Sequence, residues 1–60
     1  MEEMIGKEVA WRGVNTILSG TVECIRELRF RGIEEPTLVF AVKTRNGKYV
    51  DVSPTSIIGL

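Results

Sequence analysis

Residues 37–52 have the sequence TLVFAVKTRNGKYVDV, and the expected fold follows most directly from this stretch. Two β-prone runs flank Asn46 and Gly47, a pair that is typical of a tight β-hairpin turn. A two-residue turn would mix charged and aliphatic side chains on both faces of the hairpin. A three-residue loop over 45–47 avoids this, with Gly47 in the left-handed position of a bulged type I turn. Because a one-residue slip moves every side chain to the opposite face, we predict the three-residue loop.

This register sorts the hairpin into an inner and an outer face. The inner face would hold the apolar side chains of Phe40, Val42, Val50 and Val52. The outer face would hold Val39, Ala41, Lys43, Tyr49 and Asp51. Since a small barrel has one interior, we predict that Val39, Ala41 and Tyr49 are exposed beside Lys43. Uncharged, β-prone surfaces of this kind mark an interface or an aggregation hazard, and the alternative is that a terminus or the 28–36 loop covers them.

The first strand is predicted from the stretch EVAWR at residues 8–12. Val9 and Trp11 alternate with polar neighbours, which is the pattern of a half-buried strand. Trp11 could stack on a nucleic-acid base. Its shared face with Val9 favours a place in the core, because large aromatics dominate small cores. Turn residues over 13–16 then end the strand.

A second strand is predicted from ILSGTVECI at residues 17–25. Leu18 and Val22 share a face, and Gly20 between them indicates a bend or a close approach of two backbones. Ile25 has the opposite parity, so a bulge near Glu23 and Cys24 is needed to turn it inward.

Two further features of this region bear on the fold. Cys24 lies mid-strand among apolar neighbours, and we predict an inert residue in or near the core rather than a nucleophile. Residues 21–31 also fit a helix, with apolar residues at helical spacing and a stop at Gly32. Several of these residues are poor helix formers, so we prefer the strand.

The C-terminal part predicts one helical turn and a closing strand. Ser53 can cap the turn, and Pro54 suits its first position. Ile57 and Ile58 begin the last strand. The chain is therefore predicted to be all-β, a small five-stranded antiparallel barrel with a short helical turn before the last strand. Its length indicates a single domain over residues 1–60.

Two stretches carry a resemblance to a known superfamily. SGTVECI, at residues 19–25, is similar to the Gly-x-Val-x-x-Ile strand of SH3-like small β-barrels, and VKTRNGKYVDVSPTSI, at 42–57, is similar to their hairpin, helical turn and closing strand. The chain most resembles small bacterial and phage-borne barrels of unknown role, and more distantly KOW and Tudor domains. It lacks the ALYDY-like first strand and paired tryptophan of the peptide-binding signalling domains. The resemblance therefore does not imply binding of proline-rich ligands.

Composition restricts the possible functions. The chain has eight basic and eight acidic residues, one cysteine and no histidine. A disulfide within the chain and a structural zinc site are excluded, and we expect no metal or cofactor. Without histidine or a glycine-rich phosphate loop, we expect no enzyme activity. The acidic start and the lack of a long apolar run predict a soluble, cytoplasmic protein without a membrane anchor.

A core of this size supplies about 3–5 kcal/mol at most, so assembly with a partner is a natural source of further stability. We predict a non-enzymatic binding or assembly module that associates with itself or belongs to a larger protein complex. The first predicted contact surface is the outer face of Val39, Ala41, Lys43 and Tyr49. The second is an arm formed by Arg29, Phe30 and Arg31, since arginine and aromatic residues are enriched at interface hot spots.

Nucleic acid is the alternative partner. A KOW-like or Tudor-like barrel would use the basic residues Arg29, Arg31, Lys43, Arg45 and Lys48. Against this, phosphate binders usually show a basic excess, which this chain lacks. The arginines of the arm also lie among Glu23, Glu27, Glu34 and Glu35, so a self-neutralised, solvated surface is a further possibility.

Overall fold

The computed structural model describes residues 2–59, and its regular structure is five β-strands and two 3-10 turns. The strands are β1 (Glu8–Arg12), β2 (Ile17–Leu28), β3 (Thr37–Thr44), β4 (Tyr49–Val52) and β5 (Ile57–Gly59). The 3-10 turns are Glu2–Met4 and Pro54–Ser56. The predicted all-β class is confirmed. Within residues 2–59 no helix has the length and apolar character needed to cross a bilayer.

All five strands belong to one antiparallel sheet with the order β4-β3-β2-β1-β5. β4 and β5 are its edges, and the strand pairings formed by residues 2–59 do not join them. The five antiparallel strands are confirmed, whereas closure of the sheet into a barrel stays a prediction.

The β3–β4 hairpin has the predicted register. Val42 pairs with Val50, so the connecting loop has three residues. Gly47 has a φ of 84°, in the left-handed region that glycine adopts without strain. Its N–H donates to the Thr44 carbonyl at 2.9 Å, and the Thr44 N–H donates to the Lys48 carbonyl at 2.8 Å. These two hydrogen bonds close the loop and fix which face of each strand points inward.

β2 contains the predicted bulge. Val22 pairs with Val42, and Cys24 pairs with Ala41, the residue that precedes Val42. Glu23 is therefore the extra residue on β2. A bulge of this kind reverses the side-chain alternation of the residues that follow it.

The bulge has one predicted and one unpredicted consequence. Ile25 packs against the core, as expected. Cys24 is exposed, so the prediction that it lies in or near the core is wrong. The reason is the alternation itself, since a bulge that turns Ile25 inward turns its neighbour outward. The alternative helix over 21–31 is also wrong, because β2 continues to Leu28.

The core lies on the inner face of the sheet. It consists of the buried side chains of Val9, Trp11, Val22, Phe40, Val42 and Val52, with Met4, Ile25 and Ile57 packed against them. Trp11 is thus a core residue, as predicted. Gly20 marks a close approach of backbones, because a Cβ there would lie 2.6 Å from the Lys43 carbonyl oxygen.

The turn before β5 forms as the sequence indicates. The Thr55 N–H donates to Ser53 Oγ at 3.4 Å, and Pro54 occupies the start of the turn. β5 then pairs with β1, with Ile57 opposite Trp11. The turn therefore brings the C-terminal strand to the edge of the sheet farthest from β4.

Candidate functional site

Many large apolar side chains of this chain lie outside the core. Among residues 2–59, ten are exposed, whereas seven are buried. The exposed ones are Ile5, Val14, Ile17, Leu18, Phe30, Ile33, Leu38, Tyr49, Val50 and Ile58. Isolated exposed apolar residues are normal, but clusters rimmed by polar groups mark interaction sites. Two such clusters occur here.

The first cluster, which we call the hairpin-end surface, lies where β2 begins and the β3–β4 loop ends. It is a depression of about 520 Å³ lined by residues that include Leu18, Thr44, Arg45, Asn46, Lys48 and Val50. Leu18 pairs with Trp11, and Val50 pairs with Val42, so both belong to the inner face of the sheet. They are nevertheless exposed, because the core ends before it reaches them.

The second cluster, which we call the amino-terminal surface, is a depression of about 700 Å³. Its lining consists of Glu2, Glu3, Ile5, Cys24, Ile25 and Leu38. The first 3-10 turn supplies the glutamates. Just after this turn, the Gly6 N–H donates a hydrogen bond to the Val22 carbonyl at 2.7 Å, which connects the amino-terminal segment to β2. Ile5 and Leu38 leave apolar surface open to solvent.

The two surfaces lie at opposite ends of β3. Leu38 is the second residue of the strand and Thr44 is its last. Six residues of extended chain span about 20 Å. Both residues have the parity of Phe40 and Val42, which are in the core. The inner apolar face therefore continues beyond the core at both of its ends.

The ionisable side chains that line the two depressions differ in sign. Among the described residues that line the hairpin-end surface, the ionisable side chains are Arg45 and Lys48, and both are basic. Glu2 and Glu3 provide the carboxylates of the amino-terminal surface. The pKa of Glu3 is lowered below its ordinary value, first by a hydrogen bond with its own backbone and also by attraction to nearby positive charge, including Lys7. Both effects favour the ionised carboxylate.

The predicted outer face of the hairpin is only partly open. Val39 and Ala41 are 7% and 6% exposed, so the prediction that they form an exposed apolar surface is wrong. Their ladder partners explain the burial. Arg26 on β2 is opposite Val39, and Asp51 on β4 is opposite Ala41. Arg26 Nη1 contacts the Asp51 carboxylate oxygens at 3.0 and 2.8 Å, so this ion pair spans β3 on the side of Val39 and Ala41.

Tyr49 and Lys43 on the same face are exposed, as predicted. Tyr49 is 61% exposed, and Lys43 Nζ lies 6.0 Å from the centroid of its ring. This distance is at the limit of a cation–π contact. The face thus presents one aromatic ring and one ammonium group rather than a continuous apolar area.

The predicted arm follows the end of β2. Phe30 is 50% exposed, and its carbonyl accepts a hydrogen bond from the Ile33 N–H at 3.2 Å in a turn where Gly32 has a φ of 86°. Arg29 forms an ion pair with Glu27 at 2.5 Å, and Arg31 is exposed. Part of the arm's charge is therefore neutralised locally, while Phe30 remains available for contact.

The basic residues considered for nucleic acid do not form one stripe. Arg29 and Arg31 follow Leu28, which pairs with the first residue of β3. Arg45 and Lys48 lie in or beside the loop that follows the last residue of β3. The two groups are separated by the length of the strand. Within residues 2–59 no group of three histidine, cysteine or carboxylate side chains could hold a metal ion.

The sequence did not predict that Leu18, Val50, Ile5 and Leu38 are exposed. Leu18 and Val50 were expected to point inward, and their parity is indeed that of the core. A signal was present in their neighbours, because each of the two lies within a few residues of a polar turn where a strand begins. An inward-facing residue at such a position faces the open end of a small core.

Comparison of the chain with protein-family models, with curated proteins and with solved structures finds no match.

Proposed function

We propose that the protein is a non-enzymatic binding module that assembles with itself. The observation that supports this is the exposure of inner-face apolar side chains at both ends of the sheet, each within a depression that also holds charged groups. In a larger protein complex, the same exposed surfaces would contact other subunits.

Energetics favour contact at these surfaces. Removing apolar surface from water contributes roughly 25 cal/mol per Å². A core of about 3–5 kcal/mol leaves the monomer marginal, so burial of a few additional large side chains is a substantial gain. Association of folded copies stabilises the folded state further by mass action.

The other exposed groups are secondary in this proposal. Phe30 in the arm is the next candidate contact, because it is an exposed aromatic flanked by arginines. Tyr49 ranks below it, since the ion pair between Arg26 and Asp51 lies beside it on the outer face. We also propose that the chain is a member of the SH3-like barrel superfamily. The strand order and the 3-10 turn before β5 support this assignment.

Light scattering on three proteins tests the proposal. The chain itself should show a mass that rises above 6.7 kDa as concentration increases. Val50→Thr keeps the β-branched shape while making the hairpin-end surface more polar, and it should lower that mass at each concentration. Tyr49→Glu is the matched control on the same strand, because its side chain points to the opposite face. The proposal fails if the chain stays at 6.7 kDa, and a loss of mass only with Tyr49→Glu would move the contact to the outer face.

A further inference from the structure

We infer that β4 of one copy pairs edge to edge with β4 of a second copy, in antiparallel orientation and with a two-fold axis at Val50. This inference rests on the proposed self-association and specifies its geometry. Val50 lines the hairpin-end surface, so the contact lies at one of the two surfaces described above. The partner is a second copy of this chain, and the segment that it contributes is the same strand.

The hydrogen bonds of the hairpin determine which backbone groups of β4 are free. The Thr44 N–H donates to the Lys48 carbonyl, so these two residues form a hydrogen-bonded pair. Along an antiparallel ladder, such pairs alternate with pairs that exchange no hydrogen bond. The backbone groups of Val50 therefore point to β3, whereas those of Tyr49 and Asp51 point away from it. Among residues 2–59, no strand pairs with β4 on that side.

β4 lacks the features that usually protect the edge of a sheet. Its residues, YVDV, include no proline, and they pair with β3 in one regular register without a bulge. β5, the other edge, has three residues and an irregular register with β1. Short strands and bulges discourage pairing with another chain, whereas a regular edge with free N–H and C=O groups is a template for a further strand. β4 is thus the edge that can accept one.

Only one two-fold register uses all the free groups of this edge. With the axis at Val50, Tyr49 faces Asp51 of the second copy, and a pair of hydrogen bonds forms on each side of the axis. An axis at Tyr49 would place Asp51 opposite Gly47, whose N–H already donates within the loop. An axis at Asp51 would place Tyr49 opposite Ser53, whose carbonyl already accepts a hydrogen bond within the 3-10 turn.

The side chains of β4 are compatible with the same register. Val50 is 40% exposed on the inner face, and at the axis it would pack against Val50 of the second copy. β-branched side chains pack well against their neighbours on a pleated sheet. On the outer face, Tyr49 would lie opposite Asp51 of the second copy, whose carboxylate is already paired with Arg26 of its own chain. The pairing therefore does not depend on the side chain at position 49.

Pairing of identical strands determines the size of the assembly. Such a contact is isologous, because the same segment is used on both copies, and it closes after two copies. It joins the two sheets into one and leaves no β4 edge free. The weight-average mass should therefore level off at twice 6.7 kDa.

Disulfide formation at the axis tests the register. Between the two copies, the residues at position 50 would form a non-hydrogen-bonded pair with a Cα separation of about 4.5 Å. A disulfide requires a Cα separation of roughly 4.4–6.8 Å. The double variant Cys24→Ser/Val50→Cys should therefore form a covalent dimer under mild oxidation. Cys24→Ser/Leu18→Cys is the matched control, because Leu18 is 43% exposed in the same depression but lies on β2, away from the axis.

Proline at the start of β4 gives an independent readout. Tyr49 is the first residue of the strand and its N–H points away from β3, a position at which an edge strand accepts proline. Tyr49→Pro should abolish the dimer, because it removes half of the hydrogen bonds between the copies. Tyr49→Thr removes the same side chain but keeps the N–H, and it should leave the mass unchanged. Fluorescence of the buried Trp11 shows whether each variant is folded, and if Tyr49→Pro is not, the thiol assay decides.

Three results would each overturn the inference. They are the absence of a covalent dimer through position 50, equal cross-linking through position 18, and an unchanged mass of folded Tyr49→Pro. Failure of the inference is distinguishable from failure of the proposed function. A mass above 6.7 kDa without the disulfide at position 50 rejects only this geometry, whereas a monomeric mass rejects both.

Discussion

Replacement of Gly20 by alanine probes the closest backbone approach in the sheet. A Cβ at this position would lie 2.6 Å from the Lys43 carbonyl oxygen and 2.6 Å from Val42 Cγ1. The carbonyl belongs to β3, which is paired with a strand on each side, and cannot rotate away, so β2 and β3 must separate. Overpacking of this kind costs about 1–3 kcal/mol. The lower entropy of the unfolded chain offsets about 0.4–1 kcal/mol of it, since φ at Gly20 is outside the left-handed region.

The expected net loss is about 1–2 kcal/mol, a large share of the stability of so small a domain. Urea unfolding monitored by Trp11 fluorescence measures it, and with a slope of about 1 kcal/mol per M the midpoint should fall by about 1–2 M. Gly59→Ala is the matched control, because a Cβ there meets nothing within 4 Å. It should leave the midpoint unchanged or raise it slightly. A Gly20→Ala protein as stable as the natural chain would refute the close approach of the two strands.

The remaining predictions concern the outer face and the arm. A double-mutant cycle on Arg26→Ala and Asp51→Ala should give a coupling free energy of about 0.2–1 kcal/mol, because the two side chains are 52% and 37% exposed. A coupling free energy of zero would show that the ion pair is not formed. Phe30→Ser should change the unfolding midpoint little, because half of the residue is exposed, whereas a large drop would place the ring in a packed site. The chain should show no salt-dependent binding to DNA or RNA, and binding at low salt that is lost with Arg29→Ala plus Arg31→Ala would favour the nucleic-acid alternative.

The register of the sheet could be predicted because it depends on local alternation. The hairpin had one register that separated charged from aliphatic side chains, and Gly47 suited the loop that this register requires. The bulge at Glu23 followed from the same logic, since Val22 and Ile25 could not otherwise share the inner face. The alternation of apolar and polar side chains and the residues of the turn therefore predicted the same arrangement of β2, β3 and β4.

Burial on the outer face could not be predicted in the same way. It depends on Arg26 and Asp51, which are 25 residues apart in sequence and reach each other only after the two flanking strands have paired with β3. Cys24 was misplaced for a related reason. The apolar character of its neighbours suggested burial, but the bulge determines which of two adjacent residues points inward. Exposure of Leu18 and Val50 likewise depends on where the core ends, which the sequence pattern does not specify.

Sedimentation equilibrium of the unmodified chain over a wide range of concentrations tests the central claim, self-association, most directly. We expect a weight-average mass that exceeds 6.7 kDa and increases with concentration. A mass of 6.7 kDa at every concentration would contradict self-association.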